Sequence, residues 1–142
     1  MVLWISGLEI NPDYDYPLKV RVGNIERNIF EVHFETGCEA QLRDTKVTWV
    51  AYPSHIPNIF SGTATTRNRR KSSQPQSLNR DYVSFGKVFG KEPGVFMGVN
   101  ELDFRKSLGL RLHVRASNIT PYGFTWDADS WGESVCYSAG VS

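Results

Sequence analysis

The feature that most limits the fold of this 142-residue chain is a series of short segments in which apolar and polar residues alternate. The segments are rich in Val, Ile, Thr, Phe and Trp, which favour the half-buried, pleated surface of a β-strand. Proline, glycine and asparagine interrupt the chain between them. The segments are residues 18–22, 30–35, 46–50, 82–85, 95–99 and 109–115. Because no window keeps a 3.6-residue apolar period, the sequence predicts an all-β sandwich or barrel of short strands with little helix.

The charges nearly cancel, with 16 Lys and Arg residues against 15 Asp and Glu. This balance gives no long-range field that would attract nucleic acid or an anionic membrane. The basic run 67–71 contains no aromatic residue, whereas nucleic-acid surfaces interleave rings with cations, so we interpret Ser61–Asn79 as a solvated loop. No apolar run approaches the ~20 residues of a membrane span. We therefore expect neither a nucleic-acid partner nor membrane insertion.

The ends and the cysteines of the chain limit its cellular context. Residues 1–9 lack the basic residues and the long apolar run of a signal peptide, so we expect a cytoplasmic protein or one secreted by a non-classical route. Cys38 and Cys136 are too few for a disulfide framework or, alone, for a zinc site. Two free thiols and one bridge between them both remain open.

Residues 7–48 resemble residues 101–142 in order along the chain. Most matches are separated by 94 residues, but Leu18–Val22 matches Leu110–Val114 at a separation of 92. Such a period is the size of a small domain. The sequence therefore predicts that residues 1–51 are the second half of one domain and residues 52–142 are a nearly complete one.

Half of a sandwich cannot bury its own apolar face, so residues 1–51 need a partner sheet. Three sources remain open. The partner sheet comes from the second copy, from another chain by strand exchange, or from sequence outside this chain.

Short motifs follow one another in a set order through residues 52–142. They are Ser61-Gly62, Val83-Ser84-Phe85, Glu101-Leu102-Asp103, Leu110-Arg111-Leu112, Asn118 to Phe124, and Ser130-Trp131. This order resembles the H-type lectin domain, a family of sugar-binding domains. The resemblance implies an antiparallel β-sandwich with six strands in each complete domain. It also implies non-catalytic binding of galactose or N-acetylgalactosamine, and trimers with sugar sites between protomers.

The resemblance also implies site residues. Arg111 is similar to the family's arginine that donates hydrogen bonds to sugar hydroxyls, and Trp131 to its aromatic residue near the sugar. Gly132 stands where some members have histidine, and Tyr137 lies at a further position lining the site. The family's loop carboxylate, which accepts from sugar hydroxyls, falls near Gln74.

The loop acceptor is the weakest part of this set, because Gln74 is not an aspartate. Ser72 and Ser73 lie beside it, and Asn79 or Asp81 could supply the acceptor instead. In the first copy Lys19 matches Arg111 and lacks its planar donor fork. We therefore expect the working site in the second copy.

The residue types fit sugar binding on general grounds, because a guanidinium fork matches neighbouring hydroxyls and a ring packs on the C–H face of a sugar.

Other polar and aromatic residues have simpler interpretations. Trp131 packing in the core remains open, and we interpret Trp126 as core. His113 and Arg115 fit the solvated face of a strand. Asn118-Ile119-Thr120 reads as a turn, and Asp127, Asp129 and Glu133 lack calcium-loop spacing.

Catalysis finds no support in the motifs. His33, His55 and His113 are scattered, and no nucleophile elbow or phosphate-binding loop is present in the sequence. We expect no cofactor and no metal. The sequence predicts a lectin whose weak single sites gain avidity from homo-oligomerisation, as a trimer or by strand exchange. The alternative is a structural or assembly module that exchanges β-strands and has lost sugar binding.

Overall fold

The computed structural model describes residues 1–11, 13–37, 41–53, 56–106 and 109–142. Its only helical element in those ranges is one 3₁₀ turn, Thr66–Asn68, and none of its helices is long or apolar enough to cross a membrane. The strands are β1 Val2–Ile10, β2 Leu18–Ile25, β3 Phe30–Thr36, β4 Leu42–Val50, β5 Ala64–Thr65, β6 Leu78–Ser84, β7 Val99–Phe104, β8 Leu112–Thr120, β9 Gly123–Ser130 and β10 Cys136–Val141.

The strands form three antiparallel sheets. A five-stranded sheet has the order β3-β2-β7-β10-β5, a three-stranded sheet has the order β6-β9-β8, and β1 pairs with β4. The prediction of an all-β antiparallel sandwich is confirmed. Residues 64–141 alone supply six strands, three in each of two facing sheets.

One face of the five-stranded sheet carries the core. Phe104 of β7 packs with Trp126 of β9, which belongs to the three-stranded sheet. Leu18 of β2 packs with Leu3 of β1. Because Leu18 pairs directly opposite Leu102, both side chains point to the same face. The two smaller sheets therefore cover the same face of the large one, and each fully buried apolar side chain contributes roughly 1.5–3 kcal/mol.

Two ladders in the first half repeat two ladders in the second half at a constant separation of 94 residues. The matching pairs are Ile10↔Leu42 with Phe104↔Cys136, Ile5↔Val47 with Val99↔Val141, and Leu18↔Thr36 with Leu112↔Ser130. Even the irregularities agree, because both register shifts in the β1–β4 ladder recur at the corresponding places in β7–β10.

This register corrects one detail of the sequence comparison. Leu18 corresponds to Leu112, not to Leu110, and Lys19 corresponds to His113. Arg111 therefore has Pro17 as its counterpart. The separation of 92 was wrong because alternating strands match equally well after a shift of two residues.

Two further expectations need correction. The strand expected at residues 95–99 begins only at Val99, because no ladder among the described residues includes 95–98. Ser61–Asn79 is not simply a solvated loop, since Thr66 is buried and its Oγ1 accepts a hydrogen bond from the Ala139 amide. Composition hides this role because one buried hydroxyl leaves no apolar pattern.

Cys136 is a buried free thiol, and burial raises its pKa to about 11. Cys38 lies outside the described residues. Of the two alternatives left open by the sequence, the structure shows a free thiol at Cys136.

Candidate functional site

The β8–β9 ladder ends where the sequence predicts a sugar site. Its last pair is Leu112↔Ser130, so Arg111 directly precedes one strand and Trp131 directly follows the other. Both residues are exposed, and Trp131 keeps 53% of its surface accessible. Packing of Trp131 in the core is therefore wrong, whereas Trp126, 2% exposed, is a core residue as predicted.

Arg111 and Gly132 are in direct contact. Gly132 has a φ of 65°, in the left-handed region that favours glycine. A β-carbon added at Gly132 would overlap Nη1 of Arg111. Glycine at this position thus serves two purposes: it permits the turn, and it leaves room for the guanidinium.

The loop that carries Trp131 and Gly132 is tied to the segment before β8. The Ser134 hydroxyl donates to the Gly109 carbonyl, and the Ser134 amide donates to the Trp131 carbonyl at 3.4 Å. These bonds hold the loop against the chain that leads to Arg111. Sequence reasoning missed Ser134, because a single serine in a polar loop carries no distinguishing pattern.

Tyr137 is the extra residue of a bulge in the β10–β7 ladder, between Cys136 and Ser138, and it is half-buried. Its carbonyl accepts a hydrogen bond from Nη1 of Arg70 at 2.7 Å. Nη2 of Arg70 donates to the Cys136 carbonyl at 3.0 Å. Arg70 thereby fastens the loop before β6 to β10, a role that the sequence did not reveal.

Gln74 and Ser72, the proposed acceptors in the loop, do not contact Arg111 directly among the described residues. Gln74 is exposed and Ser72 is half-buried. The backbone N–H of Gln74 donates to the Lys71 carbonyl at 3.0 Å. Within the described ranges, no side-chain hydrogen bond or ring contact joins either residue to Arg111, Trp131 or Tyr137. The loop nevertheless ends beside the site, because the Ser130 amide donates to the Ser77 carbonyl at 2.7 Å.

Asn79 and Asp81 are engaged elsewhere. Asn79 is buried; its Oδ1 accepts from Arg70, and its Nδ2 donates to the carbonyls of Gln76 and Ala128. Oδ1 of Asp81 lies 2.7 Å from Nη2 of Arg69. Asn79 has no free amide atom to offer a sugar held by Arg111.

Arg115 and Asp127 interact on the outer face of the three-stranded sheet. The buried carboxylate of Asp127 accepts hydrogen bonds from Nε of Arg80 at 2.5 Å and Nε of Arg115 at 3.2 Å. Burial alone would raise the pKa of Asp127, but these bonds and charges outweigh it and hold the pKa below its ordinary value. Arg115 is thus an ion-pair partner on an exposed strand face.

Among the described residues, no group of three or more His, Cys, Asp or Glu side chains could hold a metal ion. Asp127, one of the carboxylates near Trp131 in sequence, is covered by two guanidinium groups instead. The exposed groups at this end of the sandwich, the Arg111 guanidinium and the Trp131 ring, can donate hydrogen bonds and pack against a flat apolar face.

The fold and this surface define a small β-sandwich domain with an exposed guanidinium and an exposed indole at one end. Residues 80–142 match the family model of the H-type lectin domain. The matched region includes Arg111, Trp131, Gly132 and Tyr137, and it excludes Ser72, Gln74 and the first half of the chain. No curated protein matches this chain.

Proposed function

We propose that this protein is a non-catalytic lectin that binds galactose or N-acetylgalactosamine type glycans through a site centred on Arg111. The observation that carries the proposal is the seating of the Arg111 guanidinium on Gly132, next to the exposed Trp131, inside the region that matches the H-type lectin domain. In the proposed site, Arg111 donates to sugar hydroxyls and Trp131 packs against the C–H face of the sugar.

The remaining proposed residues complete the site around this pair. Tyr137 lines it from β10, and Gln74 supplies the acceptor from the loop, with Ser72 beside it. Shallow polar sites of this kind bind single sugars weakly, so the proposal includes a homo-oligomer, with a trimer as the first expectation, that gains avidity. Recognition of multivalent glycans at low protein concentration would then depend on assembly.

A glycan array with the wild-type protein tests the proposal. We expect enrichment on terminal galactose or N-acetylgalactosamine structures. Arg111→Ala should abolish that signal, while Lys19→Ala should leave it unchanged, because Lys19 lies on the other half of the fold and its Nζ pairs with Glu101 at 4.0 Å. Absence of enrichment on every glycan would refute the lectin function, and an equal loss in both variants would refute the assignment of the site.

We propose further that residues 1–51 and 52–142 are one and a half copies of one domain. The constant separation of 94 residues in two independent ladders supports this view. Pro17 occupies the position of Arg111 and Gly37 that of Trp131, so the first copy lacks both the donor fork and the ring.

A second candidate function, strand exchange in an assembly, is favoured by the open edge of β3. The strand that corresponds to β3 in the second half is β9, and β9 pairs with β6 through seven residue pairs. In contrast, β3 is the end strand of its sheet. Phe34 of β3 is 46% exposed, and Ile29, which precedes β3, is 63% exposed. An added strand would pair with the free edge of β3 and reduce the exposure of Phe34.

Solution mass measured across a dilution series, together with two variants of β3, tests strand exchange. Strand exchange predicts an oligomer that Phe34→Lys disrupts, because a charge would enter the apolar side of the added strand. The matched variant Glu35→Lys changes the opposite side of β3 and should leave the mass unchanged. A strict monomer in the wild type would exclude exchange between chains.

A further inference from the structure

The β8–β9 ladder has an outer face, which is the face turned away from the core. Asp127 of β9 lies on this face and accepts from Arg115 of β8, whereas the next residue, Ala128, points into the core. Residues two apart on a strand share a face, so Asp129 also points outward. Its direct partner on β8 is His113, and directly opposite residues share a face. His113 and Asp129 therefore lie side by side on the outer face.

This pair adjoins the proposed sugar site. Arg111 lies two positions before His113, and Trp131 lies two positions after Asp129. Both Arg111 and Trp131 are exposed, as expected where the chain continues the outer face beyond the ladder. Two residues of a strand span about 6.6–6.8 Å, which is similar to the length of one sugar ring. A glycan held at Arg111 and Trp131 thus has His113 and Asp129 within reach of its second sugar.

Asp129 has acceptor capacity that the protein leaves unused. Its one ion pair among the described residues joins Oδ2 to Nη2 of Arg115 at 3.7 Å, which is longer than a hydrogen bond. The side chain is 23% exposed, so a ligand can reach it. An ionised carboxylate only accepts hydrogen bonds, and sugar hydroxyls are donors that match it. Asp129 therefore supplies what Arg111 and Trp131 both lack.

Two further side chains border Asp129 on the same face. His113 is exposed and has no hydrogen-bond or ion-pair partner in the described part of the chain. Its neutral ring offers one donor and one acceptor. Leu78 pairs with Asp129 from β6 and is 72% exposed, so its apolar surface can contact the C–H groups of a sugar. Donor, acceptor and apolar groups thus form one row across β8, β9 and β6.

The charges on this face favour a neutral ligand. Arg80 and Arg115 both donate to Asp127, and Arg115 also pairs with Asp129. Two guanidinium groups thus balance two carboxylates. A charged group would need a counter-ion that this row does not offer, whereas sugar hydroxyls need none.

We propose that His113, Asp129 and Leu78 form a subsite for the second sugar of a glycan whose terminal sugar is held by Arg111 and Trp131. Asp129 accepts from a hydroxyl of the second sugar, and His113 adds a further hydrogen bond. The subsite rests on the proposed lectin function and deepens it. It makes a galactose-terminated disaccharide a better ligand than the terminal galactose alone.

Isothermal titration calorimetry with the wild-type protein tests the subsite. The probes are lactose and melibiose, which join galactose to glucose through different linkages, and the methyl galactoside of matching anomeric form for each. We expect at least one disaccharide to bind about tenfold more tightly than its methyl galactoside, the equivalent of one hydrogen bond to a charged group. Equal affinities within both pairs overturn the subsite and leave the lectin function standing. No binding of any probe also overturns the subsite, and the glycan array then shows whether the lectin function fails with it.

Two variants test the residues of the subsite. Asp129→Ala should reduce the tenfold preference for the disaccharide to about one and leave the affinity for methyl galactoside unchanged. His113→Ala should lower the same preference. An equal loss of affinity for both sugars in Asp129→Ala would place Asp129 in the terminal-sugar site and overturn the assignment.

Asp44→Ala is the matched control, because it removes the same charge from an exposed position of β4. It should retain the full preference for the disaccharide. Loss of that preference in Asp44→Ala as well as in Asp129→Ala would show a general effect of charge and overturn the proposal. Thermal denaturation of the variants checks that each remains folded at the temperature of the titration.

Discussion

Nη1 of Arg111 occupies the space that a side chain at Gly132 would fill. The two residues are 21 positions apart in the sequence, yet the end of the β8–β9 ladder brings their segments together. The position of the guanidinium therefore depends on the absence of a β-carbon across the ladder. Any residue other than glycine at position 132 requires the arginine to move.

Gly132→Ala should weaken glycan binding, because the end of the Arg111 side chain must shift to make room for the new β-carbon. It should also lower the free energy of unfolding by about 1–3 kcal/mol, because alanine is strained at a positive φ. Gly132→Asn tolerates that φ better and should lose binding at a smaller cost in stability. Glycan titration and thermal denaturation measure the two effects.

Gly90→Ala is the matched control, because a β-carbon there meets no atom within 4 Å. It should change neither binding nor stability appreciably. Full glycan binding by Gly132→Asn would contradict the importance of the contact between Arg111 and residue 132.

The strands were predictable where apolar and polar residues alternate over one buried face, as in Leu18–Val22. β9 was missed although Phe124, Trp126 and Ala128 alternate with polar residues. Aspartate is rare in strands, and the ion pairs that hold Asp127 and Asp129 come from arginines on other strands. The turn after β8 is also tighter than expected. Asn118 lies inside β8 with a φ of 50°, and the turn itself is Pro121 and Tyr122.

The candidate site was predictable only in part. The resemblance picked out Arg111, Trp131 and Gly132 by their order along the chain, but no local pattern could reveal that Arg111 rests on Gly132. Such a contact depends on the register of β8 and β9, which side-chain alternation leaves uncertain by two residues. The anchoring by Arg70 is equally non-local, because its three bonds reach Asn79, Cys136 and Tyr137.

Asp127→Asn should lower the free energy of unfolding at neutral pH by roughly 1.5–3 kcal/mol, the range for hydrogen bonds to a charged group. The pKa of Asp127 is lower in the folded protein than its ordinary value of 3.8. Its contribution is therefore present above the unfolded-state pKa and is lost as the pH falls through the folded-state pKa. Denaturant titrations from neutral to acidic pH should show the two proteins converging at the acid end.

Asp44→Asn provides the comparison for this pH series, because Asp44 is an exposed residue on β4. It should change stability little at any pH. A constant difference between wild type and Asp127→Asn across the whole series would contradict an electrostatic role for Asp127.

Leu3→Ala and Phe104→Ala should shift one shared unfolding transition, although the residues lie in different halves of the chain. Leu3 is 3% exposed and Phe104 is 1% exposed. Removing either side chain leaves a cavity, which costs about 2–5 kcal/mol for leucine or phenylalanine. Hydrogen exchange of β1 and of β7 would report the change in both halves.

The shared transition is expected because Ile5 and Leu8 pack against both clusters of buried residues, and β2 pairs with β7. Phe96→Ala is the control, since Phe96 is 67% exposed and contacts Trp4 edge to face. Its cost should be about 1 kcal/mol or less. Two separate transitions in Leu3→Ala would contradict a common core.

Cys136 should resist alkylation in the folded protein. Burial raises the pKa of its thiol to about 11, so the thiolate, which is the reactive form, is a fraction of about 10⁻⁴ at pH 7. The measurement uses Cys38→Ser, so that Cys136 is the only cysteine, and follows the incorporation of iodoacetamide by mass. Labelling in denaturant should be fast and labelling in buffer slow, with a rate that follows opening of the core.

Destabilisation by Phe104→Ala should then accelerate labelling of Cys136, because Phe104 pairs directly with Cys136. Rapid labelling of the native protein would show that the thiol is not held in the core.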